Sequence, residues 1–131
     1  MKKSRLVTAY FDDFIEVFLT FNGDRIAPKF TAPLLVKGTS FDPIILRTKQ
    51  EISDYFQAYL DRYKKLGYAS CFYSDLDIKW LGNDNAMATL EWSMVDSLGA
   101  IKTKWIESYL LTVSDCKTVA YCTIDHDLEI E

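Results

Sequence analysis

The hydrophobic period of this 131-residue chain changes at Gly67. Before it, apolar residues recur at helical spacing. After it, from Tyr68 to about His126, they alternate with polar residues between short turn signals. A helical half feeding a meander of strands restricts the chain to an α+β domain, with its helices on one face of a curved antiparallel sheet. The length is that of a single domain over 1–131, large enough to bury about two-thirds of its unfolded surface without a disulfide or metal staple.

Three helices are expected. In the first, Tyr10, Phe11, Phe14, Ile15, Phe18 and Leu19 form two i, i+4 ladders. Asp12, Asp13 and Glu16 occupy the other face, in turns early enough to suit the positive end of the helix dipole. Asp24 can cap a second, shorter helix carrying Pro28 in its first turn, and Pro33 stops it. Leu34 to Leu46 reads as irregular or extended, broken by Gly38, Ser40 and Asp42-Pro43. Thr48 and Glu51 form a capping box for the third helix, and Gly67 closes it. Its stripe of Ile52, Tyr55, Phe56, Tyr59, Leu60 and Tyr63 reads as core or interface, packing through Ile52, Phe56 and Leu60. The basic cluster Arg62, Lys64 and Lys65 sits where the helix C-terminus favours it.

Four strands are predicted at about 70–81, 87–96, 102–113 and 118–125. The connections are short, so neighbours should run antiparallel. Phe72, Leu76, Ile78 and Trp80 share a face of the first; Leu90, Trp92 and Met94 share one of the second. Trp105, Tyr109, Leu111 and Val113 share one of the third.

Aromatic residues make up 15% of the chain, enough rings to fill a core and still line a cavity. A net charge of −4 without a basic patch argues against a nucleic-acid partner. Cys71, Cys116 and Cys122 are odd in number and not at ligand spacing, so reduced thiols are expected. Acidic residues interrupt the apolar residues near the start, and no apolar run approaches the ~18 residues of a membrane span. A cytoplasmic protein with no membrane association is the expectation. The sole histidine, His126, flanked by Asp125 and Asp127, is expected at the surface. No phosphate loop, metal set or Ser/His/Asp set can be assembled, so no cofactor is expected.

The order of motifs is informative where each alone is not: Gly23-Asp24, Phe41-Asp42-Pro43, Thr48-Lys49-Gln50-Glu51-Ile52, Gly67-Tyr68 and Ser108-Tyr109-Leu110-Leu111. In that order, over nearly the whole chain, it resembles the nuclear transport factor 2-like superfamily. That superfamily includes SnoaL-like polyketide cyclases, ketosteroid isomerase and scytalone dehydratase, and the likeness is closest to its uncharacterised bacterial SnoaL-like members. The resemblance implies a cystatin-like cone: three N-terminal helices on a strongly curved antiparallel four-strand meander, with room for an extra short edge strand. It also implies pairing into a homodimer through the outer sheet face, which here would present Tyr73, Val95, Ile106 and Leu110.

In the isomerase branch a Tyr on the first helix and an Asp on the third strand form an oxyanion hole, and an Asp in an Asp-Pro loop is the base. By motif order Asp42 matches the base, Phe14 stands near the Tyr position without a hydroxyl, and Tyr109 stands at the strand Asp. Asp42 is then either an ordinary turn residue or a base for a proton beside a carbonyl. Tyr109 is either a core phenol or a donor to the resulting oxyanion. Glu107, alternating with Trp105 and Tyr109, either meets water, pairs with a cation or marks a pocket. The expected pocket is lined by Phe14, Phe18, Trp92, Trp105, Glu107 and Tyr109, with Asp42 at or near its mouth. Two functions fit: binding of a small, largely apolar molecule, with acid–base isomerase, cyclase or dehydratase chemistry, or a protein-interaction module whose own rings fill the cavity.

Overall fold

The computed structural model describes residues 2–38 and 41–126. Ser40 and Asp127 lie outside the described residues. Helix α1 is Lys2–Phe18, α2 is Gly23–Ile26, followed by a 3-10 turn at Ala27–Lys29, and α3 is Lys49–Lys65. The strands are β1 Phe30–Lys37, β2 Ile44–Leu46, β3 Tyr68–Leu81, β4 Asn85–Asp96, β5 Ile101–Val113 and β6 Thr118–Asp125. They form one curled sheet in the order β2-β1-β6-β5-β4-β3, antiparallel throughout except where β1 runs parallel to β6.

The four-strand meander is as expected, and the sheet is larger than expected. The segment around Pro33, read as the end of a helix and the start of an irregular or extended stretch, is strand β1, with β2 on its outer edge. A slip in register between Phe30 and Leu35 takes Pro33 out of the ladder, where its missing N–H is harmless. Asn22, not Asp24, caps α2: its side chain accepts from the Asp24 amide at 2.9 Å. Helix α1 begins at Lys2, so Asp12 and Asp13 lie past its middle and Glu16 in its last turn, none of them at the positive end of the dipole.

Val7, Tyr10, Phe11, Phe14 and Phe18 of α1 are buried, and Leu19 is exposed just past the helix end. The helix is pinned to the following turn by a reciprocal pair of bonds. The Tyr10 hydroxyl donates to the Lys29 carbonyl at 2.7 Å, and Lys29 Nζ donates to the Tyr10 carbonyl at 2.8 Å while pairing with Asp13 at 2.8 Å. Burial lowers the Lys29 pKa, and Asp13 partly restores it.

Helix α3 is capped as expected, the Glu51 amide donating to Thr48 Oγ1 at 3.1 Å; the Glu51 carboxylate reaches back to the Arg47 amide at 2.9 Å. It docks on α2 through Gly23, whose amide donates to Gln57 Oε1 at 2.6 Å, and through Ser53, whose hydroxyl donates to Asp24 at 2.5 Å. A Cβ on Gly23 would lie 2.3 Å from the Ser53 carbonyl oxygen, so a glycine is required there by close approach.

One strand face needs correction. Asp75 adopts φ 58°, and between Ser74 and Asp77 β3 carries one more residue than β4. This bulge inverts the alternation. Leu76, Ile78 and Trp80 pack inward as expected, but so do Cys71 and Tyr73, while Phe72 points out and is 42% exposed. Tyr73 therefore leaves the proposed dimer face. Its hydroxyl donates to Asp12 of α1 at 2.7 Å, which with burial pushes its pKa up to about 12.

Candidate functional site

Strand β5 builds the floor of a cavity. Its two-residue period turns Trp105, Glu107 and Tyr109 to the helix side, opposite Trp92, Leu90 and Ala88 of β4. Phe14 and Phe18 of α1 form one wall; Tyr55, Phe56, Tyr59 and Tyr63 of α3 form the other. The space between measures about 400 Å³. All six expected pocket residues line it: Phe14, Phe18, Trp92, Trp105, Glu107 and Tyr109.

Two tryptophans organise the polar floor. Trp92 Nε1 donates to the Tyr109 hydroxyl at 2.8 Å, and Trp105 Nε1 donates to Glu107 Oε1 at 2.8 Å. An indole N–H is a donor only, so the Tyr109 oxygen accepts from Trp92 and keeps its own proton to give. That hydroxyl faces the Glu107 carboxyl closely enough to favour its ionised form.

Burial dominates the acidity of Glu107. Its pKa is raised to about 7 in all: loss of water is the largest cause, the Trp105 hydrogen bond opposes it, Asp125 facing it on β6 adds to the rise, and the Tyr109 hydrogen bond opposes it. The same burial, then the Glu107 charge, pushes the Tyr109 phenol well above its ordinary value, so Tyr109 stays protonated. The Cys71 thiol, also on the cavity wall, is pushed up to about 12 by burial and is therefore an inert lining group.

Asp42 stands beside the cavity and not in its lining. It is exposed on the loop before β2, where its neighbour Phe41 lines the cavity and Asp42 does not. His126 is half-buried, not fully at the surface: its Nε2 lies 2.8 Å from Ser108 Oγ, which in turn meets Thr89 Oγ1 at 2.7 Å. Ser108 alternates with Glu107 and Tyr109, so this chain of bonds is on the outer side of the sheet, away from the cavity.

Sequence reasoning missed two contributors. Asp125 closes the floor beside Glu107, and the α3 tyrosines, read as core or interface, face the cavity. A signal for the latter was present: a pure core stripe has little use for hydroxyls, and here Tyr55, Tyr59 and Tyr63 repeat at i, i+4, i+8. The Tyr55 and Tyr59 hydroxyls are 3.4 Å apart, and burial raises the Tyr55 and Tyr63 pKa values. Among the described residues no group of three or more His, Cys, Asp or Glu could hold a metal ion, and no helix is long and apolar enough to cross a membrane.

A helix-closed cone over a curled sheet, with a ring-lined cavity inside, defines a cystatin-like α+β protein. The chain belongs to the NTF2-like family DUF6841, whose model matches residues 3–117. An NTF2-like protein with a cystatin-like fold from Novosphingobium aromaticivorans is similar with a TM-score of 0.77 at 8% identity, over 99% of this chain and 84% of that one. Aln2 from a Streptomyces species is similar with a TM-score of 0.75 at 9% identity, over 94% and 89%. A protein from Catenulispora acidiphila solved in complex with S-DNPA is similar with a TM-score of 0.70 at 12% identity, over 93% and 92%. No curated protein matches the sequence.

Proposed function

We propose that the protein holds a small, largely apolar, ring-bearing molecule in the cavity and uses Glu107 on it for acid–base chemistry of the isomerase, cyclase or lyase type. The observation that carries this reading is a carboxyl with a pKa of about 7 at the floor of a ring-lined cavity. Such a group takes or gives a proton at neutral pH. With a carbonyl compound, the Glu107 carboxylate removes a proton from the carbon beside the carbonyl. The Tyr109 hydroxyl, held by Trp92, donates to the developing oxyanion; losing that donor costs on the order of 10²–10³ in rate. A volume of about 400 Å³ lies in the range of ligand sites and favours this reading over an interaction module with a self-filled cavity.

A bicyclic aromatic ketone, 2-tetralone, tests the chemistry. Exchange of its α-protons in deuterated buffer, followed by NMR, should be faster with wild-type protein than in buffer alone. Glu107→Gln should return it close to the buffer rate, and Asp42→Asn should leave it unchanged. No acceleration by wild type contradicts the reaction. Loss in Asp42→Asn with retention in Glu107→Gln would return the base role to Asp42.

The reading includes a homodimer. The outer sheet face carries Val95, Ile106 and Leu110, joined by Leu35, Ile101 and Ile124 at 38%, 48% and 40% exposure. A monomer leaves this apolar face partly wet, and two-fold pairing would cover it. Light scattering at micromolar concentration should give twice the 15.1 kDa of the chain; a monomer mass contradicts the dimer.

A further inference from the structure

The interior of the cavity has an electrostatic character that constrains its ligand. The Glu107 charge is felt by phenols on three elements: Tyr10 of α1, Tyr55 and Tyr63 of α3, and Tyr109 of β5, each of whose ionisation it opposes. Asp125 of β6 adds a second negative group opposite it. The ion pairs among the described residues do not include Glu107. Two cationic side chains border the cavity, and both are exposed: Arg62 lies over the Tyr59 ring at 5.2 Å, and Lys104 reaches Glu91 at 3.8 Å. Solvent screens such exposed charges, so they do little to offset a buried carboxylate.

The rings have the same sense. Aromatic faces are the negative side of the ring quadrupole, and Tyr63 of the α3 wall and Trp105 of the β5 floor meet at 6.4 Å between ring centres, tilted by 33°. A carboxylate, phenol oxygens and π faces together are what a cation on an apolar body meets in an aromatic cage.

We infer that the cavity selects a molecule whose apolar ring body carries a protonated amine or a quaternary ammonium, the cation seated against Glu107 and among the rings of Tyr63, Trp92 and Trp105. This rests on the cavity being the ligand site. The Glu107 carboxylate already accepts from Trp105 and from the Tyr109 hydroxyl, and a carboxylate with about four lone-pair sites still has acceptor capacity for a ligand donor. A seated cation favours the ionised carboxyl, so near neutral pH its binding releases the Glu107 proton. An anionic ligand would meet the Glu107 carboxylate as a like charge.

Three probes with one indole body separate the possibilities: tryptamine as cation, tryptophol as neutral alcohol and indole-3-acetate as anion. By titration calorimetry at about pH 8, tryptamine should bind about tenfold more tightly than tryptophol, and indole-3-acetate most weakly. The tryptamine advantage should shrink at about pH 5.5, where Glu107 is protonated and tryptamine is still charged. Glu107→Gln should erase the advantage, bringing the tryptamine and tryptophol affinities together; should that variant fail to fold, the pH dependence of the wild type decides alone. Tryptophol binding as tightly as tryptamine, or a preference indifferent to pH, overturns the cation inference while the cavity remains a ligand site. Failure of all three to bind at millimolar concentration overturns both.

Discussion

Glu107 is a carboxyl at the cavity floor with a raised pKa, and its acidity leaves a mark on stability that needs no ligand. A carboxyl that titrates near 7 when folded and near its ordinary 4.5 when unfolded binds its proton more tightly in the folded state. Its stabilising effect is complete below about 4.5 and is lost as pH rises through about 7, by at most about 3 kcal/mol. Glu107→Gln keeps the shape without the titration. Denaturant unfolding should therefore show the variant gaining on wild type between pH 5 and 8, and parallel pH profiles for the two proteins contradict a raised Glu107. The residue was conspicuous in the sequence, because an acid alternating with Trp105 and Tyr109 has no cheap place in a strand core. Its pairing with Trp105 was not legible, since an i, i+2 contact between side chains depends on how the strand bends. Motif order put Asp42 in the base loop; that its neighbour Phe41, and not Asp42, lines the cavity was not legible, because it depends on how the loop packs.

At the level of elements, the helix and strand boundaries after Thr48 follow the sequence closely, because each is fixed by local chemistry: a cap, a period and a turn. What escaped was non-local. Strand β1 pairs in parallel with β6 across more than eighty residues of chain, and its own sequence, with a proline inside it, argues against a strand. The bulge at Asp75 adds one residue and exchanges Phe72 with Tyr73, an inversion that alternation alone cannot reveal. Two substitutions check the docking of α3. Ile52→Ala empties a site that is 1% exposed and should cost about 2–5 kcal/mol, whereas Phe56→Ala should cost less because that ring, stacked 4.7 Å from Phe30, borders open space. Gly23→Ala should cost about 1–3 kcal/mol through collision with the Ser53 carbonyl. Denaturant titration reads all three; an Ile52→Ala loss below about 1 kcal/mol would mean that α3 buries a different face.

For the whole molecule, the decisive property is that the sheet and helices meet around space instead of closing on it. The core proper lies toward α1, where Phe11, Leu90 and Leu111 are at most 1% exposed, and the cavity lies toward α3, whose tyrosines line it. Three tryptophans report on these regions separately. Trp92 and Trp105 line the cavity with their indole N–H groups bonded to Tyr109 and Glu107, while Trp80 packs against the core outside the cavity lining. The indole N–H resonances of ¹⁵N-labelled protein, followed as unlabelled tryptophol is added, therefore locate the ligand directly. The Trp92 and Trp105 signals should move along a saturable curve while Trp80 stays in place. Movement of Trp80 alone, or of none of the three at millimolar tryptophol, would contradict a ligand site between the sheet and α3.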